Sequence, residues 1–313
     1  MNDYALIATA YNKSVRIYVS TTTELVEEAR KIHKTWPTAT AAFGRFLTVS
    51  AMMGLMYKKG ERITLKIKSD GPISNMLVEA NPEGEVRGEI NNPEVYIKYE
   101  DGPKKGKLNV GSAVGPGFLY VTKDLNMKEY FTSSSQLQTG EIGDDFTYYF
   151  ALSEQVPSSV GLGVLVNVDQ TVLASGGYIL QLMPNVSEDT IQHLERVIST
   201  LPPITTLIHD GKTPEEILTM LSDNTHQILD KKTLSYACHC SKEGFSKSLS
   251  ALDEDTMHDL IHEDEGAEII CHFCHKKYHF SKEELEVINT SRKSKGVKSW
   301  PLLFRTRLVF LLI

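Results

Sequence analysis

The sequence predicts an α+β fold: an antiparallel-sheet-rich amino-terminal domain with buried helices, then a helical linker and a small carboxy-terminal domain. Three observations carry this. Roughly the first 180 residues read as one mixed unit of helices and strands, and the three strand-like runs between Arg62 and Ile90 are joined by turns too short for crossover helices, so they pair antiparallel. The run from Trp36 to Met56 is apolar nearly all round, which suits a helix buried under a sheet. All four cysteines fall in the last quarter of the chain, beyond a stretch of short amphipathic helices.

Each element has its own signal. "YALIATAYNKSVRIYVS" reads as a hairpin, two alternating runs joined across Asn12-Lys13. "WPTATAAFGRFLTVSAMMGLM" follows, with Pro37 at a first helical position. "RITLKIKSDGPISNMLVEANPEGEVRGEI" gives three strands separated by Asp-Gly-Pro and Asn-Pro-Glu-Gly turns. After further strand-like segments, "GDDFTYYFALSEQ" reads as a helix, and "SVGLGVLVNV" and "TVLASGGYILQLMP" as two buried strands that close the domain, 1–186. The linker, 187–232, holds the helices "SEDTIQHLERVISTL" and "TPEEILTMLSD" on either side of Pro202-Pro203. In the second, Thr213 and Glu216 form a capping box around Pro214. Helices this short depend on what they dock against. The third segment, 233–292, offers two helices around "FSKSLSALDEDTMHDLIHED", a hairpin "AEIICHFCHKKYHF", and a helix from "SKEELEVI" with Ser281 and Glu284 as a second capping box.

Several function classes are excluded. A net charge of −7 argues against nucleic-acid binding, which needs clustered Lys and Arg. The amino terminus carries no basic region followed by an apolar run, so no export signal is expected and the reducing cytoplasm is the expected compartment. "GLGVLV" (Gly161–Val166) lacks the third glycine of a dinucleotide turn, and "GKT" (Gly211–Thr213) has Thr206 where a phosphate loop needs glycine. "GPKKGK" (Gly102–Lys107) is a charged turn one residue short of that motif. No nucleotide site is expected. The tail, 293–313, ends "WPLLFRTRLVFLLI", shorter than the about 20 residues of a bilayer span and interrupted by Arg305 and Arg307. No membrane role is expected of it, and the sequence assigns it no other.

The cysteines carry the chemistry. They read C-x-C, thirty intervening residues, then C-x-x-C: Cys238, Cys240, Cys271 and Cys274. Two close pairs brought together supply four thiolates to one tetrahedral zinc, and the C-x-x-C on a hairpin turn is the usual half of such a site. Of the nearby histidines (His239, His258, His262, His272, His275, His279), one could replace a cysteine, although solvent-facing or supporting roles suit them better. A purely structural zinc module with a protein-binding role is one reading. A redox role is the other, because each adjacent pair can close on itself as a disulfide and so eject the metal. A segment of about sixty residues can scarcely hold itself on its own core, so it would then unfold. Nucleic-acid binding by this module is disfavoured: Ser235 to Ile288 contains twelve Asp or Glu against five Lys and no Arg. Catalysis is disfavoured too, since four thiolates leave zinc no open position for water. The protein is therefore not expected to be an enzyme.

With the cysteines placed, the chain resembles the heat shock protein 33 family of redox-regulated bacterial holdase chaperones. The resemblance runs to about Arg292 through "TWPTATAAFGRFLTVSAMM", "GPISNMLVEANPEGEVRGEI", "GDDFTYYFALSEQVPSSVG", "GGYILQLMP", "TPEEIL" and the four cysteines. It implies an inactive monomer when reduced and loaded with one zinc. It further implies oxidation, by peroxide with heat or by hypochlorite, to Cys238–Cys240 and Cys271–Cys274 disulfides, with zinc release and a destabilised linker. The active form would be a homodimer that holds unfolding client proteins without ATP.

Overall fold

The structure, a computed structural model, describes residues 2–295, so nearly all of the apolar tail lies outside the described residues. It divides into two compact units that meet in sequence at Ala237 and Cys238.

The first unit begins with the expected hairpin, β1 (Tyr4–Ala10) and β2 (Val15–Thr21), whose turn puts Tyr11, Asn12 and Lys13 all in the left-handed region. The next element, α1 (Thr23–His33), is absent from the sequence reading; it buries Leu25, Val26 and Ala29. Its N-cap residue, Thr22, makes no side-chain cap. Instead, the N–H groups of Thr23 and Leu25 donate to the Asp3 carboxylate at 3.0 and 2.7 Å. That cap comes from another element, so no local signature announces the helix.

Helix α2 (Pro37–Gly54) starts with Pro37 in its first turn and buries 16 of its 18 residues. Its buried hydroxyls return to the helix's own backbone: Thr48 Oγ1 donates to Gly44 O and Ser50 Oγ to Phe46 O, both at 2.7 Å. Then come β3 (Arg62–Ser69), β4 (Asn75–Ala80), β5 (Glu85–Ile90), the short α3 (Val110–Val114), β6 (Gly117–Asp124) and β7 (Phe131–Gln136). Helix α4 (Gly143–Tyr149) runs into a π-helical turn at Phe150–Glu154, followed by β8 (Ser158–Val166) and β9 (Val172–Leu182). The linker supplies α5 (Glu188–Thr200), α6 (Ile204–His209), α7 (Pro214–Ser222) and nearly all of the strand β10 (Gln227–Thr233), and the short strand β11 (Ser235–Tyr236) follows it.

Two sheets result, ordered β10-β1-β2-β9-β8 and β11-β5-β4-β3-β6-β7. Every named pairing in this unit is antiparallel except β11 with β5. Helix α2 touches β8 and β9 of one sheet and β4 and β5 of the other, which explains an apolar surface on all sides. Strand β8 differs from the expectation of full burial: it is a sheet edge and mostly half-buried, whereas β9 is buried along most of its length.

The linker packs on this body. Leu194, Ile204, Leu207, Ile217, Leu218 and Leu221 join Leu6, Ala8, Ala10, Val15, Ile17, Val19, Tyr178 and Leu180 in a second apolar core. That core lies on the opposite face from α2, because Leu6 and Ala8 point into it while Ala5 points into the α2 core. Alongside, β10 pairs with β1 from Tyr4↔Thr233 to Thr9↔Gln227. The linker therefore contributes a strand as well as helices. The Thr213–Glu216 capping box forms as expected.

The second unit contains α8 (Lys242–Leu249), α9 (Glu254–His262), the hairpin β12 (Gly266–Ile270) and β13 (Lys277–Ser281), and α10 (Lys282–Lys295). The Ser281–Glu284 box is present, with backbone N–H to side-chain distances of 3.0 and 3.3 Å. Its core is small, built around Leu249, Leu252, Met257, Leu260, Ile269 and Phe280.

Candidate metal centre

The hairpin turn between β12 and β13 carries Cys271 and Cys274. The N–H of His275 donates to Cys271 O at 2.8 Å, and that of Cys271 to Lys276 O at 3.0 Å, which folds the turn tightly back on itself. His275 takes a left-handed φ of 56° to close it. The turn aims backbone N–H groups at sulfur, those of Phe273 and Cys274 at Cys271 and that of Lys276 at Cys274. Such donors stabilise thiolates.

Cys238 and Cys240 approach on an extended segment that ends where Ser241 caps α8, its Oγ accepting from the Gly244 N–H at 3.1 Å. Tyr278 of β13 holds this segment, its hydroxyl 2.9 Å from Cys240 O and 3.2 Å from Cys240 Sγ. Phe245 packs against the same ring at 5.1 Å between centroids.

All four sulfurs fall within 4.8 Å of one another. Sγ of Cys238 is 3.7 Å from that of Cys271, and Sγ of Cys240 is 3.3 Å from that of Cys274. Metal–sulfur bonds of about 2.3 Å in a tetrahedron imply sulfur–sulfur edges of about 3.8 Å. The donor set therefore fits a soft divalent ion. Electrostatics argue the same way. Burial pushes the Cys271 thiol up to about 11 and the Cys274 thiol higher still, with the neighbouring sulfurs adding to the rise. For Cys240, burial is outweighed by hydrogen bonds from Tyr278 and the other cysteines, and its thiol is lowered. Thiols this crowded cannot all ionise without a cation among them.

No histidine joins this cluster among the described residues. His239, His258, His262, His275 and His279 are exposed and His272 is half-buried. His258 and His262 stack on α9 at 4.4 Å between ring centroids, and His279 faces Glu268 at 3.3 Å.

Sequence reasoning missed the anchorage of the residues just before Cys238. Leu234 is buried and its N–H donates to Asp3 O at 2.9 Å. The N–H groups of Ser235 and Ala237 donate to Gly84 O and Val86 O at 3.1 and 2.9 Å. The Tyr236 hydroxyl donates to Gly88 O at 2.8 Å and lies 3.0 Å from His33 Nε2. The only sequence signal was the apolar-polar alternation of Leu234 to Ala237, too short to read as a strand.

An α+β body joined to a small module whose four cysteines could hold one metal ion defines the class of protein. The family model described as Hsp33 protein matches residues 3–281. A 33 kDa chaperonin of Acholeplasma laidlawii is 56% identical over 292 residues, 93% of this chain and 100% of that protein. One of Bacillus subtilis is 48% identical over 285 residues, 91% and 97% of the two chains. The crystal structure of a 33 kDa chaperonin from Thermotoga maritima, a heat shock protein 33 homolog, superposes with a TM-score of 0.84 at 32% identity, covering 94% of this chain and 99% of that one. The chain belongs to the Hsp33 family of chaperones, as its motifs suggest. No helix among the described residues is long and apolar enough to cross a membrane.

Proposed function

We propose that this chain is a redox-regulated, ATP-independent holdase, inactive when reduced with one zinc on Cys238, Cys240, Cys271 and Cys274. The observation that carries the reading is the gathering of two adjacent thiol pairs within 4.8 Å, in a unit with only a small core of its own. Zinc supplies the cross-link that holds this unit folded, on the order of 10–16 kcal/mol in modules of this kind. All sulfur pairings are within reach in the reduced geometry. Loop length selects among them, since closing across one or two residues costs far less entropy than closing across thirty. One hydrogen peroxide per pair takes two electrons from its two thiolates and, with two protons from solvent, becomes two waters, so Cys238–Cys240 and Cys271–Cys274 disulfides form and no thiolate remains to bind metal.

The second unit then unfolds, and the linker, 187–232, follows as a metastable element. Its release bares the apolar face of β1, β2 and β9. It also removes Ile198 and Leu201–Thr206 from one wall of a cleft of about 1060 Å³ whose other walls include Trp36 and Tyr96. Both aromatics are already about half exposed, at 45% and 51%. Surface of this kind holds unfolding clients or a second copy, and no nucleotide takes part. Cytoplasmic oxidative stress is the setting in which such a switch operates. The 1–186, 187–232 and 233–292 segments are then chaperone body, lid and sensor.

Light scattering from a heat-unfolding client tests the reading. Oxidised protein should suppress aggregation and reduced protein should not. Equal suppression in both states would instead support a structural zinc module with a protein-binding role. Peptide mapping should find the two local disulfides, and a dominant link between the pairs would contradict the pairing.

A further inference from the structure

Strand β10 occupies the edge of β1 but is poorly built to keep it. In its sequence QILDKKT every side chain is exposed except Lys232, which is half-buried. Apart from backbone bonds it is held largely by Lys231, whose ammonium lies 3.8 Å from the Tyr4 ring centroid and 3.0 Å from Glu215. A bulge between Ile7 and Ala8 interrupts the pairing. By contrast, β1 is well founded. Leu6 and Ala8 are buried, and its other edge is paired with β2 from Ala5↔Ser20 to Ala10↔Val15.

Residues 187–233 form one continuous cover: α5, α6 and α7 shield the apolar face of this sheet while β10 shields its edge. When the cover lifts, a row of unpaired backbone groups on β1 opens beside the apolar side chains of Leu6, Ala8, Ile17 and Val19. An edge and a face exposed together fit an extended polypeptide, whose backbone completes the sheet while alternate side chains lie on the face. Main-chain pairing is indifferent to sequence, which suits a partner with no fixed sequence.

We propose that the β1 edge at Tyr4–Thr9, vacated by β10, is where an unfolded client docks as an added antiparallel strand. The inference rests on the holdase reading and names where that activity binds its partner. The client replaces an exposed, weakly held strand of the protein's own chain with a more apolar one, so β10 acts as a stand-in for the client in the closed state.

Hydrogen exchange on the full-length oxidised protein tests this, with α-lactalbumin that is reduced, carboxymethylated and so permanently unfolded as the probe. Of amides 4–9, those directed at β10 rather than at β2 should lose protection on oxidation and regain it when α-lactalbumin is added at low protein concentration. A D230T/K232T variant, which strengthens β10 by a factor of about ten in strand preference, should release zinc normally yet hold α-lactalbumin about tenfold more weakly. If α-lactalbumin is retained while the β10-facing amides of β1 stay open, the edge assignment is wrong and the holdase reading survives. If those amides remain protected after oxidation, or regain protection only as protein concentration rises and without the probe, β10 or a second copy's strand is the occupant and the proposal falls. If they open and α-lactalbumin is not retained at all, the holdase reading has failed and this inference with it.

Discussion

If the linker is a lid, weakening its grip should switch the protein on without any oxidant. Leu218 is the test position: it sits on α7, is 0% exposed, and lies in the core between the linker and the strands β1 and β2. Replacing a buried leucine by alanine costs about 2–5 kcal/mol, from lost burial plus the cavity left behind. In the released linker the side chain is in water in either variant, so nearly the whole cost falls on the closed state. Taking about 3 kcal/mol, the open-to-closed ratio rises by roughly two orders of magnitude. Reduced L218A should therefore suppress client aggregation while retaining one zinc per chain. Hydrogen exchange should show faster exchange across 187–233 and unchanged protection in α2. That second readout separates lid opening from unfolding of the whole body. If 187–233 opens in reduced L218A and aggregation is suppressed no better than by the reduced parent, exposure of this surface is not what activates the protein.

Three further outcomes follow from particular contacts. Burial holds the Asp3 carboxyl up at about 6, against 3.8 ordinarily, with Glu24 adding to the rise and the N–H bonds of Leu25 and Thr23 opposing it. The folded state binds the proton more tightly than the unfolded one. Stability of the first unit should thus fall as pH rises from about 4 to about 6, by on the order of 2–3 kcal/mol, and level off above. Asp3→Asn, which cannot ionise, should flatten that fall in urea midpoints, and an unchanged slope would refute the assignment. Tyr236→Phe loses the bonds to Gly88 and His33 and should lower protection of residues 227–237 by about 1–2 kcal/mol; unaltered exchange there would show the hydroxyl to be idle. Cys240→Ser should abolish tight zinc binding, read by metal analysis after dialysis. Full retention would make a histidine such as His239 or His275 the true ligand.

Much of this was legible in the sequence because the signals were local. The capping boxes at Thr213 and Ser281, Pro37 at a helix start, and the turn residues between β3, β4 and β5 each act within a few positions of themselves, and each formed as read. The four thiols were legible through spacing, because a hairpin turn fixes one pair and only a tertiary approach can complete the set. What escaped notice depended on distant partners. Helix α1 takes its cap from Asp3 on the far side of the hairpin. Strand β10 has no apolar alternation, since its partner β1 supplies the pairing and no side chain of β10 needs a core. Full burial was expected of β8 from its apolar composition. Edge position decided otherwise, and composition does not report position in a sheet.

The fastening of the linker is uneven along its length, and this bears on how a signal from the thiols could reach it. The helices are held by apolar contact and β10 by backbone bonds, whereas Leu234 to Ala237 are pinned by specific bonds to Asp3, Gly84, Val86 and Gly88. Gly84 permits the approach: at φ +87° a side chain there is strained, and a Cβ would stand 2.1 Å from Thr233 O. All of these anchors belong to the first unit and precede Cys238 directly. Under the proposed mechanism, unfolding of the second unit would reach the linker only by way of residues 234–237, because the parallel bridge of β11 to β5 stands between the two in the chain. A two-residue parallel bridge is a weak barrier, and it is backed by the Tyr236 hydroxyl and the Leu234 side chain. If the linker opens as proposed, residues 234–237 would set the threshold for its release and the thiols would decide when that threshold is tested.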